Sequence, residues 1–247
     1  MVKVYYNEID PYACLWLENL MNKDLIPKGD VDDRDIRDVK PGELLEYDHC
    51  HFFAGIGGWA KAYKDQKYYE SKVWTGSCPC QPFSTAGSRK GFADERDLWP
   101  HWFYLIAQCL PTTIFGEQVA GKAGLSWFKR LQSDMDSLGR ASVALCLPAG
   151  GFGAPHRRNR LYWVSEDTSN TKRNEQPWEE PCRGEVRRMG RFKQPFPWDT
   201  TWQSALRRIR VMDDGVSYGV ASTDAARNAI CPPVAKAFIE SYYESKP

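Results

Sequence analysis

A chain of 247 residues with 42% hydrophobic content is long enough to bury one substantial core and a small appendage. Its formal charge of +1 excludes a global basic field of the kind that draws a whole protein to nucleic acid or membrane. No run reaches the roughly 18 apolar residues of a membrane span, and MVKVYYNEID has no apolar signal core, so an intracellular chain with reduced thiols is expected despite eight cysteines.

In chain order, VKVYY reads as a strand and PYACLWLENLMN as the helix after it. HCHFFAG and IGGWAKAY repeat that pairing, as do VWTGS and DLWPHWFYLIAQCL. TTIFGEQ, SWFKRLQSDMDSLG, SVALCL and RLYWVS continue it, with helix stops expected before Pro111 and at Gly139. Strand–helix alternation of this kind predicts an α/β fold with a mostly parallel sheet. From about Ser165 to Arg210 the alternation dissolves into a stretch rich in Pro, Arg and Trp without apolar periodicity. It reads as an irregular insertion, ordered in part by a partner. NAICPPVAKAFIESYYES then restores an amphipathic helix behind a proline start.

Charge is unevenly spread. Asp30, Asp32, Asp33, Asp35, Asp38, Glu43, Glu46 and Asp48 crowd the first fifty residues, whereas Arg183, Arg187, Arg188, Arg191, Arg207, Arg208 and Arg210 load the insertion. The arginines are either a phosphate-binding face or a solvated surface.

Two stretches invite chemistry. HFFAGIGGW is strand, glycine turn and helix, a place where backbone can approach a ligand; it lacks the lysine of a phosphate loop. GSCPCQPFS holds a thiol between prolines, outside any helix interior or central strand. A cysteine so placed is a disulfide partner, a metal ligand or a nucleophile. Cys78 and Cys80, even with His49, Cys50 and His51, match no standard zinc spacing, so no metal is expected.

FAGIGGW, GSCPCQPFS, FGEQVAG, PHRRNRLYWV and RNAICPPVA together resemble the ordered motifs of DNA cytosine carbon-5 methyltransferases. The resemblance spans nearly the whole chain apart from 165–210. It implies an α/β, Rossmann-like S-adenosylmethionine-dependent methyltransferase sheet with helices on both faces. Residues 1–164 and 211–247 would form the catalytic domain and 165–210 a small target-recognition region. It implies Cys80 as the nucleophile that adds to carbon-6 of cytosine, so that carbon-5 can take a methyl group from a sulfonium donor. Glu117 would be the acid at ring nitrogen 3, followed here by Gln118 where the family usually has Asn. Arg160 would orient Glu117, and Arg158 would bind the base or flanking phosphates; His156 stands where the family has Gln.

The same likeness implies that Phe53, Gly55, Ile56 and Gly58 line the methionine part of S-adenosylmethionine, with Pro79 nearby and Asn228 and Ala229 from the last motif. One departure is large. Too few residues separate GGWAKAY from VWTGS for the ribose- and adenine-binding units that the family places there. VKVYYNEIDPYACLWLENL and KGDVDDRDIRDV supply equivalents at the front, so a shuffled order is expected. In it Glu8, with Ile9, reads the ribose hydroxyls, and Asp35–Ile36 (or Asp30–Val31) meets the adenine. Going from the glycine strand straight to the PCQ strand then requires either a helix that changes faces or a left-handed crossover, which is rare.

On the DNA side, the target base must leave the stack. STAGSRKGFADERD resembles the family's mobile loop, with Gln81, Ser84, Arg89 and Lys90 as contacts, and Arg187 and Arg188 are expected to meet DNA from the insertion. Binding should weaken steeply with salt. The expected partner is double-stranded DNA, met by a monomer in the cytoplasm of a bacterial or phage-infected cell. An RNA cytosine methyltransferase and a catalytically silent DNA-binding or cofactor-sensing module are the competing readings; Cys80, Glu117 and Arg160 together argue against the silent one.

Overall fold

A computed structural model describes residues 2–64, 72–79, 97–154, 158–167 and 229–245. The elements are β1 (Val4–Asn7), α1 (Pro11–Asn22), β2 (Asp30–Asp32), a 3-10 turn (Ile36–Asp38), α2 (Pro41–Leu44), β3 (His49–Phe52) and α3 (Gly58–Lys64). They continue as β4 (Val73–Gly76), α4 (Trp99–Cys109), β5 (Thr113–Val119), α5 (Lys122–Ser137), β6 (Arg140–Pro148), a 3-10 turn (Ala149–Phe152), β7 (Asn159–Asp167) and α6 (Pro232–Glu244).

Local chemistry starts and stops the helices where the sequence suggests. Asp10 caps α1 by accepting from the backbone N–H groups of Tyr12 and Ala13 at 2.8 and 3.0 Å, with Pro11 in the first turn. Leu110 leaves α4 in a left-handed conformation just ahead of Pro111, and Gly139 ends the turn after α5 with φ 72°.

The seven strands form one sheet in the order β2-β1-β3-β4-β5-β7-β6. The first five pair in parallel, and β7 runs antiparallel between β5 and β6. β1 and β2, which come first in the chain, therefore sit beyond the glycine strand β3. This is the placement that the shuffled order requires. β7 runs to Asp167, so the sheet reaches a little past the start of the irregular stretch expected from Ser165.

Strand residues alternate between two apolar faces. On one, Tyr5, Cys50, Phe52, Trp74 and Ile114 pack under the first 3-10 turn, α2, α4 and α5. On the other, Val4, Tyr6, Val73 and Phe115 pack under α1, α3 and α6. The faces decide the handedness question. β1–α1–β2 steps toward the β2 edge beneath α1. The link from β2 to β3 and the β4–α4–β5 unit step the opposite way on the opposite face, so all three share one hand. β3–α3–β4 steps away from the β2 edge with α3 on the α1 face, so it has the other hand. Because right-handed connections are the rule, this one is left-handed. The helix has kept its face.

Candidate active site

Parallel strands deliver their C-terminal ends to one edge of the sheet, and the expected site residues among those described, Asp30 excepted, lie along that edge. The β4–β5 register places Gly76 beside Gly116, so the next residues, Ser77 and Glu117, lie side by side on the α3 face. Both glycines make room on the opposite face. A Cβ on Gly76 would lie 2.5 Å from the Trp102 ring and one on Gly116 2.1 Å from the Trp163 ring.

Glu117 is only 7% exposed. Its Oε1 accepts from Arg160 Nε at 2.8 Å. Arg160 lies across the β5–β7 ladder, level with Val119, while Tyr162 stands directly opposite Glu117. Burial pushes the Glu117 carboxyl above the usual range, against the pull of Arg160, Arg158 and the Ser77 hydroxyl. The Trp59 indole N–H, from α3, donates to Ser77 Oγ at 3.2 Å.

Arg158 precedes β7 with φ 24°, a strained value for a side-chain-bearing residue. Its Nη2 donates to the Ala229 carbonyl at 2.6 Å, which ties the start of β7 to the segment leading into α6. Burial lowers its pKa, with Arg160 adding to the effect. Gln118, where the family usually carries Asn, turns to the other face and donates from Nε2 to the Cys78 carbonyl at 3.1 Å. It anchors the strand-to-loop exit. Cys78 itself is a buried wall residue.

A second group forms around the glycine turn. Glu8, at the end of β1, accepts from Gly55 N at 2.6 Å with one oxygen and from Asp10 N at 2.9 Å with the other. Each oxygen retains a second lone pair. Gly55 has φ 52°, which favours glycine, and a Cβ there would meet none of the described residues within 4 Å, which leaves space beside it. The carboxylate and that space fit a ligand carrying two adjacent hydroxyls. Phe53, also at positive φ, packs edge-on against Trp102, and Gly58 packs on Ile230 closely enough that a Cβ would sit 3.1 Å from it. The last motif is thereby brought back against the first glycine turn, as expected.

Beyond β2, Ile36 is buried in the core and Asp35 caps the following turn, where the Arg37 guanidinium holds its carboxyl below the usual range. Asp30 begins β2, at the far end of the strand from the site, and accepts from the Tyr47 hydroxyl. Of the two expected adenine neighbours, Asp35–Ile36 thus stands at the site edge. Ile9 is exposed on that edge, and Ile56 and Pro79 are half-buried. Cys80, Gln81, Ser84, Arg89, Lys90, Arg187, Arg188 and Asn228 lie outside the described residues. Sequence reasoning passed over Ser77 and Trp59. Their only signal was position, a hydroxyl one residue past the strand neighbouring that of Glu117.

A mostly parallel α/β sheet with an acid beside the glycine turn and a buried carboxyl–arginine pair at the strand ends defines a Rossmann-like α/β class. Residues 1–211 match the family of C-5 cytosine-specific DNA methylases, and the chain belongs to that family. It is 27% identical over 153 residues to the Type II methyltransferase M.NgoMIV of Neisseria gonorrhoeae, covering 61% of this chain and 48% of that protein. It is also 27% identical over 240 residues to the Type II methyltransferase M.NlaX of Neisseria lactamica, covering 90% and 64%. The chain spans less than two thirds of the length of either relative. Among solved structures, a mutant DNMT2 from Spodoptera frugiperda superposes with a TM-score of 0.45 at 16% identity, covering 72% of this chain and 54% of that one.

Proposed function

We propose that this protein transfers a methyl group from S-adenosylmethionine to carbon-5 of cytosine in duplex DNA, through a transient covalent bond from Cys80 to a flipped-out base. The observation that carries the reading is Glu117. It is a buried carboxyl with a raised pKa, paired with Arg160, beside the strand that precedes Pro79 and Cys80 in the chain. Family membership supports it.

The Cys80 thiolate bonds to carbon-6, and the displaced ring electrons are taken up at nitrogen 3 by the proton that Glu117 holds. Burial keeps that proton on Glu117 to a higher pH than an ordinary carboxylic acid would, and Arg160 Nε holds the oxygen in place. The ring is then enamine-like at carbon-5. S-adenosylmethionine supplies an electrophilic methyl on a sulfonium sulfur, which keeps the bonding pair when the methyl leaves. The carbon-5 proton then passes to solvent, its bonding pair re-forms the ring double bond and expels the Cys80 sulfur as thiolate, and nitrogen 3 returns its proton to Glu117. Glu8 would hold the ribose hydroxyls with its free lone pairs, Gly55 and Gly58 would let the donor lie against backbone, and Phe53, Ile56, Pro79, Asn228 and Ala229 would line the same cleft. Asp35 and Ile36 would border the adenine. Gln81, Ser84, Arg89, Lys90, Arg187 and Arg188 would meet the DNA, with 165–210 as the target-recognition region. We extend the reading to a monomer acting in the cytoplasm. No helix among the described residues is long and apolar enough to cross a membrane.

The test is duplex DNA carrying 5-fluorocytosine, incubated with protein and methyl donor. A denaturation-resistant protein–DNA adduct should form and should be absent with Cys80→Ala. Full-rate methylation by Cys80→Ala would refute the reading.

A further inference from the structure

Ser77 occupies a position that none of the proposed methyl-transfer steps uses. It follows Gly76 at the end of β4, and the register with β5 sets it beside Glu117 on the same face. Its hydroxyl has one proton to give and lone pairs to receive. The Trp59 indole can only donate, and it donates to Ser77 Oγ at 3.2 Å. The lone pair facing Trp59 is therefore taken, and the serine proton is left to point elsewhere. The neighbouring acceptor is the Glu117 carboxyl, whose Oε1 already receives Arg160.

We infer that Ser77 is a positioning residue for Glu117. Its hydroxyl, fixed in direction by the Trp59 indole N–H, donates to the carboxylate that forms when Glu117 gives its proton to the base. This rests on the proposed methyl-transfer reading. Trp59 is buried and packs against Phe115 and edge-on against Tyr162, so the indole cannot swing away without disturbing the α3 face. The device solves a problem specific to a buried acid. Burial favours the protonated form, which a proton donor needs, but makes the carboxylate left behind expensive. A donor that strengthens its bond as charge appears offsets that cost at the moment of transfer.

The other groups around Glu117 are Arg160 and Tyr162 from β7, Arg158 just before it, and Cys231 just before α6, which borders Arg158 and Tyr162. The Ser77 hydroxyl pulls the carboxyl pKa down, in the same direction as both arginines.

The experiment compares pH–rate profiles of methyl transfer for the natural protein, Ser77→Ala and Ser77→Thr. A hydrogen bond to a charged group sets the expected scale, a fall in kcat of roughly 10- to 100-fold for Ser77→Ala. The alkaline limb, which reports loss of the Glu117 proton, should move to higher pH, while methyl-donor affinity is unchanged. Ser77→Thr, which keeps the hydroxyl, should restore both. A uniform loss with no movement of the limb, or an unaltered profile, overturns the inference. A second readout needs no turnover: a carbon-13 carboxyl NMR titration, with Glu117→Gln assigning the resonance. Glu117 should titrate at higher pH in Ser77→Ala than in the natural protein. If the natural protein forms no 5-fluorocytosine adduct yet this titration moves, the reaction reading fails and the hydrogen bond stands. If the adduct forms and the titration does not move, the hydrogen bond fails alone.

Discussion

His51 shows how much a single side chain owes to its surroundings. It points to the α3 face of β3, stacks on Tyr6 at 5.1 Å and shares a 2.7 Å hydrogen bond between Nδ1 and Thr75 Oγ1. Burial, with His49 beside it, pushes its pKa down from 6.5 to about 3. The folded protein therefore refuses a proton that the unfolded chain accepts, so stability is complete above pH 6.5 and is lost as pH falls from there toward 3. One such group contributes a slope of up to about 1.4 kcal/mol per pH unit. His51→Phe keeps the ring against Tyr6 and cannot charge, so its urea midpoint should depend on pH less steeply between 6.5 and 4 by about one proton. An unchanged slope would show that His51 does not titrate on unfolding. Glu117 illustrates the mirror case on the same face. The sequence marked it as an acid through the FGEQV motif, but its raised pKa comes from burial between strands that are distant in the chain.

At the scale of elements, glycines at the strand ends set how closely layers approach. Gly116 lies against the Trp163 indole, itself part of an aromatic cluster with Trp99, Trp102 and Trp127. Gly116→Ala would force a methyl group into that ring, at a cost of about 1–3 kcal/mol or more from overpacking. Chemical denaturation should report the loss, and Trp163→Phe should recover part of it, since contacting residues are not additive. Equal losses in the single and double variants would place the strain elsewhere. Nothing in the text of β5 announces this contact. TTIFGEQ read correctly as a strand because β-branched and aromatic residues suit a pleated buried surface. The partner of its glycine depends on β7 arriving antiparallel. Helix limits were more legible, because Asp10, Pro11, Pro111 and Gly139 act on backbone within a few residues of themselves.

For the whole molecule, the order of strands in space and the order in sequence disagree. α3 remains over the α1 face because Gly57 meets Leu17, Leu20 and Ile26, and Gly58 meets Ile230. That packing overrides the usual hand of the connection. A rearranged gene encoding 49–71, then 1–48, then 72–247 should therefore fold to the same sheet. The new junction from 48 to 72 is short, since Val73 N donates to the Asp48 carbonyl at 3.0 Å. The link from β3 to β1 beneath α3 would then be right-handed. Methyl-donor affinity should be retained and stability should stay within about 1–2 kcal/mol, because loop closure depends weakly on length. Loss of donor binding in a folded rearranged protein would mean that the connectivity itself shapes the site.

The amino-acid sequence alone specified the alternation of strands and helices, the motifs and their rearrangement, because these depend on periodicity, caps and residue identity along short stretches. The tertiary structure alone decided the hand of the β3–α3–β4 connection, the end of β2 that faces the site and the pairing of Ser77 with Glu117. Those follow from which face a helix buries and which register two strands adopt, quantities set by contacts between residues far apart in the chain.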